Sequence, residues 1–432
     1  MVLVYTHTIT PRVRYVFKHV FVRLLGIPID FTSILGEFVA FSGPKLSYTK
    51  QPLGNEFFIQ SHSLLFGHGV ETLDIATDHW DELPIFFGSG SDSSIPFDLF
   101  AASFYLLSRY EEHVPHRKDS LGRFMASDSL AFEKGFLELP LVDLWVQRFA
   151  DVFKSHFLDI SFPKRSFQLQ TVMEVPVAFQ YKGKGLIRLT GGFFRDVFRF
   201  NFISIVRRIG VVLSLQSDPI DTFREWIAIH TTLKIPTQCF FLFTNLSHYD
   251  RNISFFNTPF LERIKEVADY VPVSLLASHQ STENKELLKI ESNRLLSLIH
   301  KQSGSIRQHM ICISYPKVYR NFAQEGYLHD YSFQYNEIAG FRASTCTPFY
   351  FYDLESESQT PLKIHPIAFT EHHLKHTKSI RKARQLMERI TQHVKNAKGP
   401  LTIVLTNVIL KESVFSTPWK TLFIKYLRKH GI

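Results

Sequence analysis

Cysteine is scarce in this chain, with only Cys239, Cys312 and Cys346 in 432 residues. The number is odd, and the spacing fits neither a zinc ribbon nor a C-x-x-C redox pair. The three therefore read as small buried apolar residues of a reducing compartment. Long hydrophobic runs are also missing. No stretch of about 18 uncharged apolar residues occurs, so no transmembrane helix is expected. The apolar start Met1–Tyr5 is short, and Val13 to Ile29 is broken by Arg14, Lys18, His19 and Arg23. No basic segment leads into a clean apolar core with a small-residue cleavage site, so no signal peptide is expected and a cytoplasmic protein is. A G-x-S-x-G elbow and a Walker loop are absent, which leaves a triad hydrolase or a P-loop enzyme without support. Acidic residues are outnumbered, 40 against 49 Lys and Arg, for a net charge of +9. The cations are spread out, so an acidic partner is permitted and none is required; no nucleic-acid partner is expected.

What is present is a foldable composition. Apolar residues reach 45% and charged residues 21%, which excludes a disordered or low-complexity chain. Phenylalanine dominates the aromatics, 42 against 16 Tyr and 4 Trp. The length fits two or three domains at about 150 residues each.

Val2–Tyr5 reads as a buried strand, and Arg12–Leu25 as a helix ended by Gly26-Ile27-Pro28. The basic, amphipathic stretch Pro11–Leu25 has the pattern of a membrane-surface helix, but the preferred reading packs its aromatic face inward. Gly88–Ser94 reads as a loop. Pro96–Arg109 and Leu141–Phe157 read as helices, and Ser161–Arg165 breaks the pattern, which places a boundary near residue 165. Beyond it, strands are predicted at Phe167–Val175, Thr237–Thr244, Val273–Ala277, Gln308–Ile313, Phe349–Asp353 and Leu401–Leu405. Helices are predicted at Thr222–Leu233, Asn257–Asp269, Ser281–His300 and Ser379–Asn396. This alternation argues for a mainly parallel sheet or a (β/α) barrel, whose chemistry sits at the strand C-termini.

Several runs carry a resemblance: Phe104–Glu112 (FYLLSRYEE), Leu139–Trp145 (LPLVDLW), Tyr181–Gly185 (YKGKG), Ser305–His309 (SIRQH), Asp330–Ser332 and, longest, Gly340–Leu354 (GFRASTCTPFYFYDL). They resemble a bacterial branch of the polysaccharide deacetylase family that has an extra N-terminal domain. The resemblance runs nearly end to end. It implies an α/β fold: an N-terminal α/β domain over 1–165, then a NodB-like deformed (β/α) barrel over 166–432. It also implies a sugar-related role. In that family a divalent metal such as zinc polarises an acetyl carbonyl, an aspartate acts as base, and histidines complete the site.

The chain departs from the family at three places. Counting back from Tyr181 puts Glu174 and Pro176 at the two aspartate positions, and Pro176 has no side-chain donor. Leu276 stands where a metal-binding histidine belongs. His279 follows three residues on, about 10 Å away along a strand. Thr406, before Asn407, stands where the general acid belongs. The resemblance with these losses implies a catalytically degenerate, deacetylase-like protein with no metal or other cofactor. Its expected partners are a glycan or proteins of surface polysaccharide biosynthesis. Site residues so implied are Glu174 (only in an active enzyme), His309 and Asp330 as catalytic groups, and Arg342 and Asn407 as substrate-binding groups. His309, Asp330 and Arg342 are expected to converge at one mouth. The alternatives are an active hydrolase of carbohydrate amide or ester bonds with an altered site, and a purely structural or interaction protein. Two further clusters stand out. Glu371, His372, His373 and His376 carry metal-ligand spacing but read as a hydrated helix start. The basic stretch Lys375–Arg389 lacks interleaved aromatics and reads as a solvated helix face.

Overall fold

The computed structural model describes residues 1–301, 303–309, 315–411 and 417–431. It is mixed α/β. The N-terminal part is built on four parallel strands, β1 (Val2–Tyr5), β2 (Ile29–Thr32), β3 (Lys45–Thr49) and β4 (Phe57–Gln60), in the order β2-β1-β3-β4. Between β1 and β2 runs the helix Pro11–Phe17. Thr10 caps it by accepting from the Val13 N–H, and Pro11 takes the first turn, where its missing N–H costs nothing. A wider-turned segment, Lys18–Leu24, continues it. Val13, Val16, Phe17, Val20 and Phe21 are wholly buried, and Phe17 stacks on Phe100 with ring centres 3.6 Å apart. This stretch is interior and presents no apolar face to a membrane. A hairpin follows, β5 (Thr77–Trp80) against β6 (Leu83–Phe86). The helices Leu99–Leu107 and Leu141–His156 come next.

The second sheet has nine strands: β7 (Gln168–Val175), β8 (Thr237–Leu242), β9 (Val273–Ala277), β10 (Ser305–Gln308), β11 (His329–Asp330), β12 (Phe349–Asp353), β13 (Ser358–Ile364), β14 (Phe369–Thr370) and β15 (Pro400–Thr406). Their order is β12-β13-β11-β10-β9-β8-β7-β15-β14. All pair in parallel except the edge strand β12, which turns back on β13. From β7 to β11, strands consecutive in sequence lie side by side with a helix between each pair, a singly wound arrangement. Pattern reading found β9 and β12 to the residue. It missed β13 and the two-residue β11 and β14. Of the predicted strand Gln308–Ile313, Met310–Ile313 lie outside the described residues, and β10 sits earlier, at Ser305–Gln308.

The large sheet curls. Glu174 on β7 bonds Arg307 on β10, three strands away. Flat strands spaced about 4.8 Å apart would hold their backbones about 14 Å apart, beyond the reach of these two side chains. One inner apolar cluster gathers Val172, Phe240, Leu242, Leu276 and Val404 from four strands, with Tyr331 and Ile367 from the segments that follow β11 and β13. A far larger cluster, from Val2 to Leu427, runs without interruption through both sheets and their helices.

Three of the runs that carry the family resemblance, Phe104–Glu112, Leu139–Trp145 and Gly340–Leu354, meet where the two parts pack. Arg342 grips Glu112 with Nε to Oε1 at 2.8 Å and Nη2 to Oε2 at 2.5 Å. Arg109 donates to Glu112 (2.7 Å) and to Glu111 (2.6 Å). Asp143, fully buried, accepts from the Thr345 hydroxyl (2.6 Å), the Cys346 N–H (3.0 Å) and Arg165 (3.1 Å). Gly340 lies at φ +142°, and a Cβ there would sit 2.6 Å from the Leu137 carbonyl oxygen.

Candidate functional site at the strand C-termini

Side chains that alternate along the strands point inward, and near the C-terminal ends those of β7, β9, β10 and β15 meet. Glu174 stands level with Thr406. Leu276 stands level with Leu242 on one side and Arg307 on the other. His309 follows Arg307 by two residues. Glu174 accepts from Arg307 Nε at 2.8 Å and pairs with its Nη2 at 2.7 Å. Arg307, 2% exposed, also donates to the Tyr331 carbonyl and reaches Gln334 Oε1 at 3.5 Å. His309 Nδ1 lies 3.6 Å from Glu174 Oε1, an ion-pair distance that is too long for a hydrogen bond. That Nδ1 has no hydrogen-bond partner among the described residues. Burial pushes the Glu174 carboxyl up, but Arg307 and His309 outweigh it and hold it at about 2.

Thr406 is occupied. Its N–H (3.0 Å) and hydroxyl (2.6 Å) both donate to Glu371, which also holds Lys375. His373 caps its own helix with Thr370, and its Nε2 sits 3.1 Å from the carbonyls of Tyr335 and Asn336. Burial first, then His372, lowers its pKa to about 4. His372 and His376 face each other at 6.3 Å between ring centres. His279 stacks on Tyr249 in the loop after β9.

Of the expected site residues, Glu174 and His309 come together and three others lie elsewhere. Asp330 alternates with the inward Tyr331 and so points to the outer face. It is wholly buried, accepts from the Ser332 N–H at 3.1 Å, and burial lifts its pKa to about 7. Arg342 is engaged by Glu112, between the two parts of the molecule. Asn407 donates to the Val177 and Ile220 carbonyls, both at 3.1 Å, and fastens the chain after β15 to that after β7. Convergence of His309, Asp330 and Arg342 at one mouth is therefore not found. Arg307, read from sequence as scaffold, is the residue that organises this site. Its signal was the period-2 placement of Ser305, Arg307 and His309 on one strand face.

The donors do not fit the divalent ion that the resemblance implies. Among the described residues no three His, Cys, Asp or Glu side chains are grouped to hold one. Pro176 and Leu276, which the resemblance aligns with two ligands, offer no side-chain donor, and the Glu174 carboxylate is bound by a guanidinium. At the opposite, N-terminal ends of the strands lies a cavity of about 610 Å³, lined by Gln238, Ser303, His329, Tyr331 and others.

Comparison with known proteins adds little beyond this geometry. Residues 2–158 match a family model described only as a family of unknown function, DUF7033. No curated protein matches. A solved structure described as a polysaccharide deacetylase of Mycobacterium smegmatis aligns at TM-score 0.38 and 10% identity, covering 62% of this chain and 86% of that one. The PuuE allantoinase aligns at TM-score 0.37 and 9% identity, covering 62% and 85%. At such scores neither alignment bears on the fold, and the account of the sheet rests on its own topology.

Proposed function

We propose that residues 166–432 form a NodB-like deformed barrel behind an N-terminal domain that ends near residue 165. On this reading the mouth formed by Glu174, Arg307 and His309 binds a carbohydrate or a carbohydrate-bearing partner and does not carry out metal-assisted deacetylation. The observation that carries the proposal is the state of Glu174. A general base works best with a pKa near the working pH. A carboxylate held at about 2 by Arg307 is a weak base at neutral pH, and its lone pairs are directed at a cation. What the mouth retains is recognition chemistry: a half-buried imidazole with a free nitrogen, a buried guanidinium and the amide of Gln334. No metal is needed for this role, and surface polysaccharide biosynthesis in a cytoplasmic setting is the context that the resemblance supplies.

The test is calorimetric titration with N-acetylglucosamine oligosaccharides, together with an acetate-release assay with added zinc or cobalt. Binding lost by at least tenfold in His309→Ala, with no acetate released, is the expected result. Metal-dependent acetate release abolished by Glu174→Gln would instead establish the second reading, an altered hydrolase. His309 Nδ1, 3.6 Å from Glu174 and without a hydrogen-bond partner among the described residues, favours that reading.

A further inference from the structure

Between β7 and β8 the chain makes a helical hairpin, Leu186–Phe198 and Phe202–Val212, whose polarity is inverted. An ordinary surface helix turns its apolar stripe inward. Here the side chains turned inward include Asp196 and Arg208, which pair across the hairpin, with Arg208 lying over the Tyr181 ring at 4.8 Å. Gly192 permits this, since a Cβ there would meet the Arg208 guanidinium at 2.5 Å. Most of the large apolar side chains face solvent, Val211 being buried. Eleven large ones between residues 194 and 215 are exposed, among them Phe198 and Phe200 at 79%, Ile203 at 75% and Leu215 at 76%. Isolated exposed apolar residues are ordinary, but a contiguous set of this size marks an interaction surface.

We infer that this hairpin is an interfacial anchor that seats the protein on an anionic lipid bilayer. Three observations favour lipid over a protein groove. The first is charge. Residues 182–215 carry seven Lys and Arg against one acid, Asp196, which is already paired. Arg195 and Arg199 are exposed beside the apolar face. Apolar side chains flanked by arginines suit the boundary between acyl chains and acidic headgroups. The second is the foot of the hairpin, a hollow of about 520 Å³ lined by Lys184, Arg188 and Leu246 among others. It places two cations against an apolar wall, as a lipid phosphate above its glycerol would require. The third is the root. The Gln180, Tyr181 and Lys182 N–H groups all donate to Asp218, at 2.8, 2.7 and 3.0 Å, so both legs are clamped where they leave the fold. The hairpin springs from the C-terminal end of β7, so docking turns the mouth toward the headgroups. No helix among the described residues is long and apolar enough to cross the bilayer, so the anchor lies in the interface. This inference does not depend on what the mouth binds.

The experiment is co-sedimentation of the full chain with extruded vesicles of phosphatidylcholine alone and of phosphatidylcholine with about one third phosphatidylglycerol. The parent should sediment with the anionic vesicles and only weakly with the neutral ones. The triple variant Phe198→Ser, Phe200→Ser, Ile203→Ser should bind at least about tenfold more weakly and keep its circular dichroism and melting temperature, because the positions are exposed. Arg195→Glu with Arg199→Glu should abolish the preference for anionic lipid. The inference is overturned if the parent stays in the supernatant with both vesicles, or if the triple variant sediments as well as the parent. It is equally overturned if the parent is a dimer without lipid, the triple variant is a monomer, and neither takes up vesicles; the face would then belong to a second copy.

Discussion

Glu174 and Arg307 define what a single residue does at the mouth. Arg307 is buried with its charge, Glu174 is half-buried against it, and each charge is tolerable because the other is there. Removing one partner of such a pair costs about 3–5 kcal/mol, since the survivor is left uncompensated. Arg307→Met should therefore lower stability by about that amount at pH 7, measured by urea unfolding. The folded Glu174 pKa, about 2, lies below its ordinary 4.5. Its contribution is thus complete above 4.5 and is lost as pH falls toward 2. Asp330 behaves in the opposite sense. Burial raises it from 3.8 to about 7, so the folded state keeps a proton that the unfolded state releases. Stability from this group declines as pH rises through that interval. Asp330→Asn should be more stable than the parent at pH 8 by about 2–4 kcal/mol, and the gain should vanish toward pH 4. A variant less stable than the parent at pH 8 would show that the ionised carboxylate is needed there.

At the scale of elements, the runs FYLLSRYEE, LPLVDLW and GFRASTCTPFYFYDL have a structural meaning. Glu112, Asp143 and Arg342 tie one sheet system to the other, so these runs record a junction. Gly340 is the tightest point of that junction. Gly340→Ala meets both an unfavourable φ and the Leu137 carbonyl at 2.6 Å, and should cost at least about 2 kcal/mol. Gly36→Ala, in the exposed helix Leu35–Ala40 with nothing within 4 Å, should be neutral or stabilising by up to about 1 kcal/mol. Thermal melts of the two variants test the contrast, and equal melting temperatures would refute it. The same elements show how far sequence reading reached. Buried strands such as β9 and capped helices such as Ile380–Asn396 announce themselves by pattern. Two-residue strands such as β11 and β14 are too short for any period. The partner of Arg342 lies 230 residues away, and only the fold reveals that this guanidinium is engaged. The hairpin at Leu186–Val212 has a helical period, but nothing in a period says which face looks outward.

The molecule as a whole carries an uneven set of buried ionisable groups, and their sum sets its response to acid. Burial lowers His19 and His365 to about 3, and His230 and His373 to about 4. Secondary pressures come from Arg23 on His19, from His329 on His365 and from His372 on His373. Each of these rings is neutral in the folded chain near pH 5 and charged in the unfolded one, where its pKa is about 6.5. Burial raises carboxyls in the other direction, Asp98 to about 6 and Asp330 to about 7, and it also raises Glu111, Asp221 and Glu291. Among these four histidines, Asp98 and Asp330, unfolding near pH 5 adds protons at the rings and releases them at the carboxyls, a net uptake of about two. His62, His113, His329, His393 and His430, also lowered by burial, add to the uptake, and Glu111, Asp221 and Glu291 oppose it. The six groups with the net uptake of about two make stability rise with pH there, by about 3 kcal/mol for each pH unit. The groups are spread from the N-terminal helix at His19 to the second sheet at His365, and one apolar cluster spans both regions. Both parts should accordingly lose stability in the same pH interval. Urea unfolding between pH 4.5 and 6, followed by far-ultraviolet circular dichroism and by tryptophan fluorescence, should give midpoints that fall together as the solution is acidified. A flat or inverted dependence would mean that the four rings are charged within the folded protein. Midpoints that separate would mean that the two parts unfold independently in spite of the shared core.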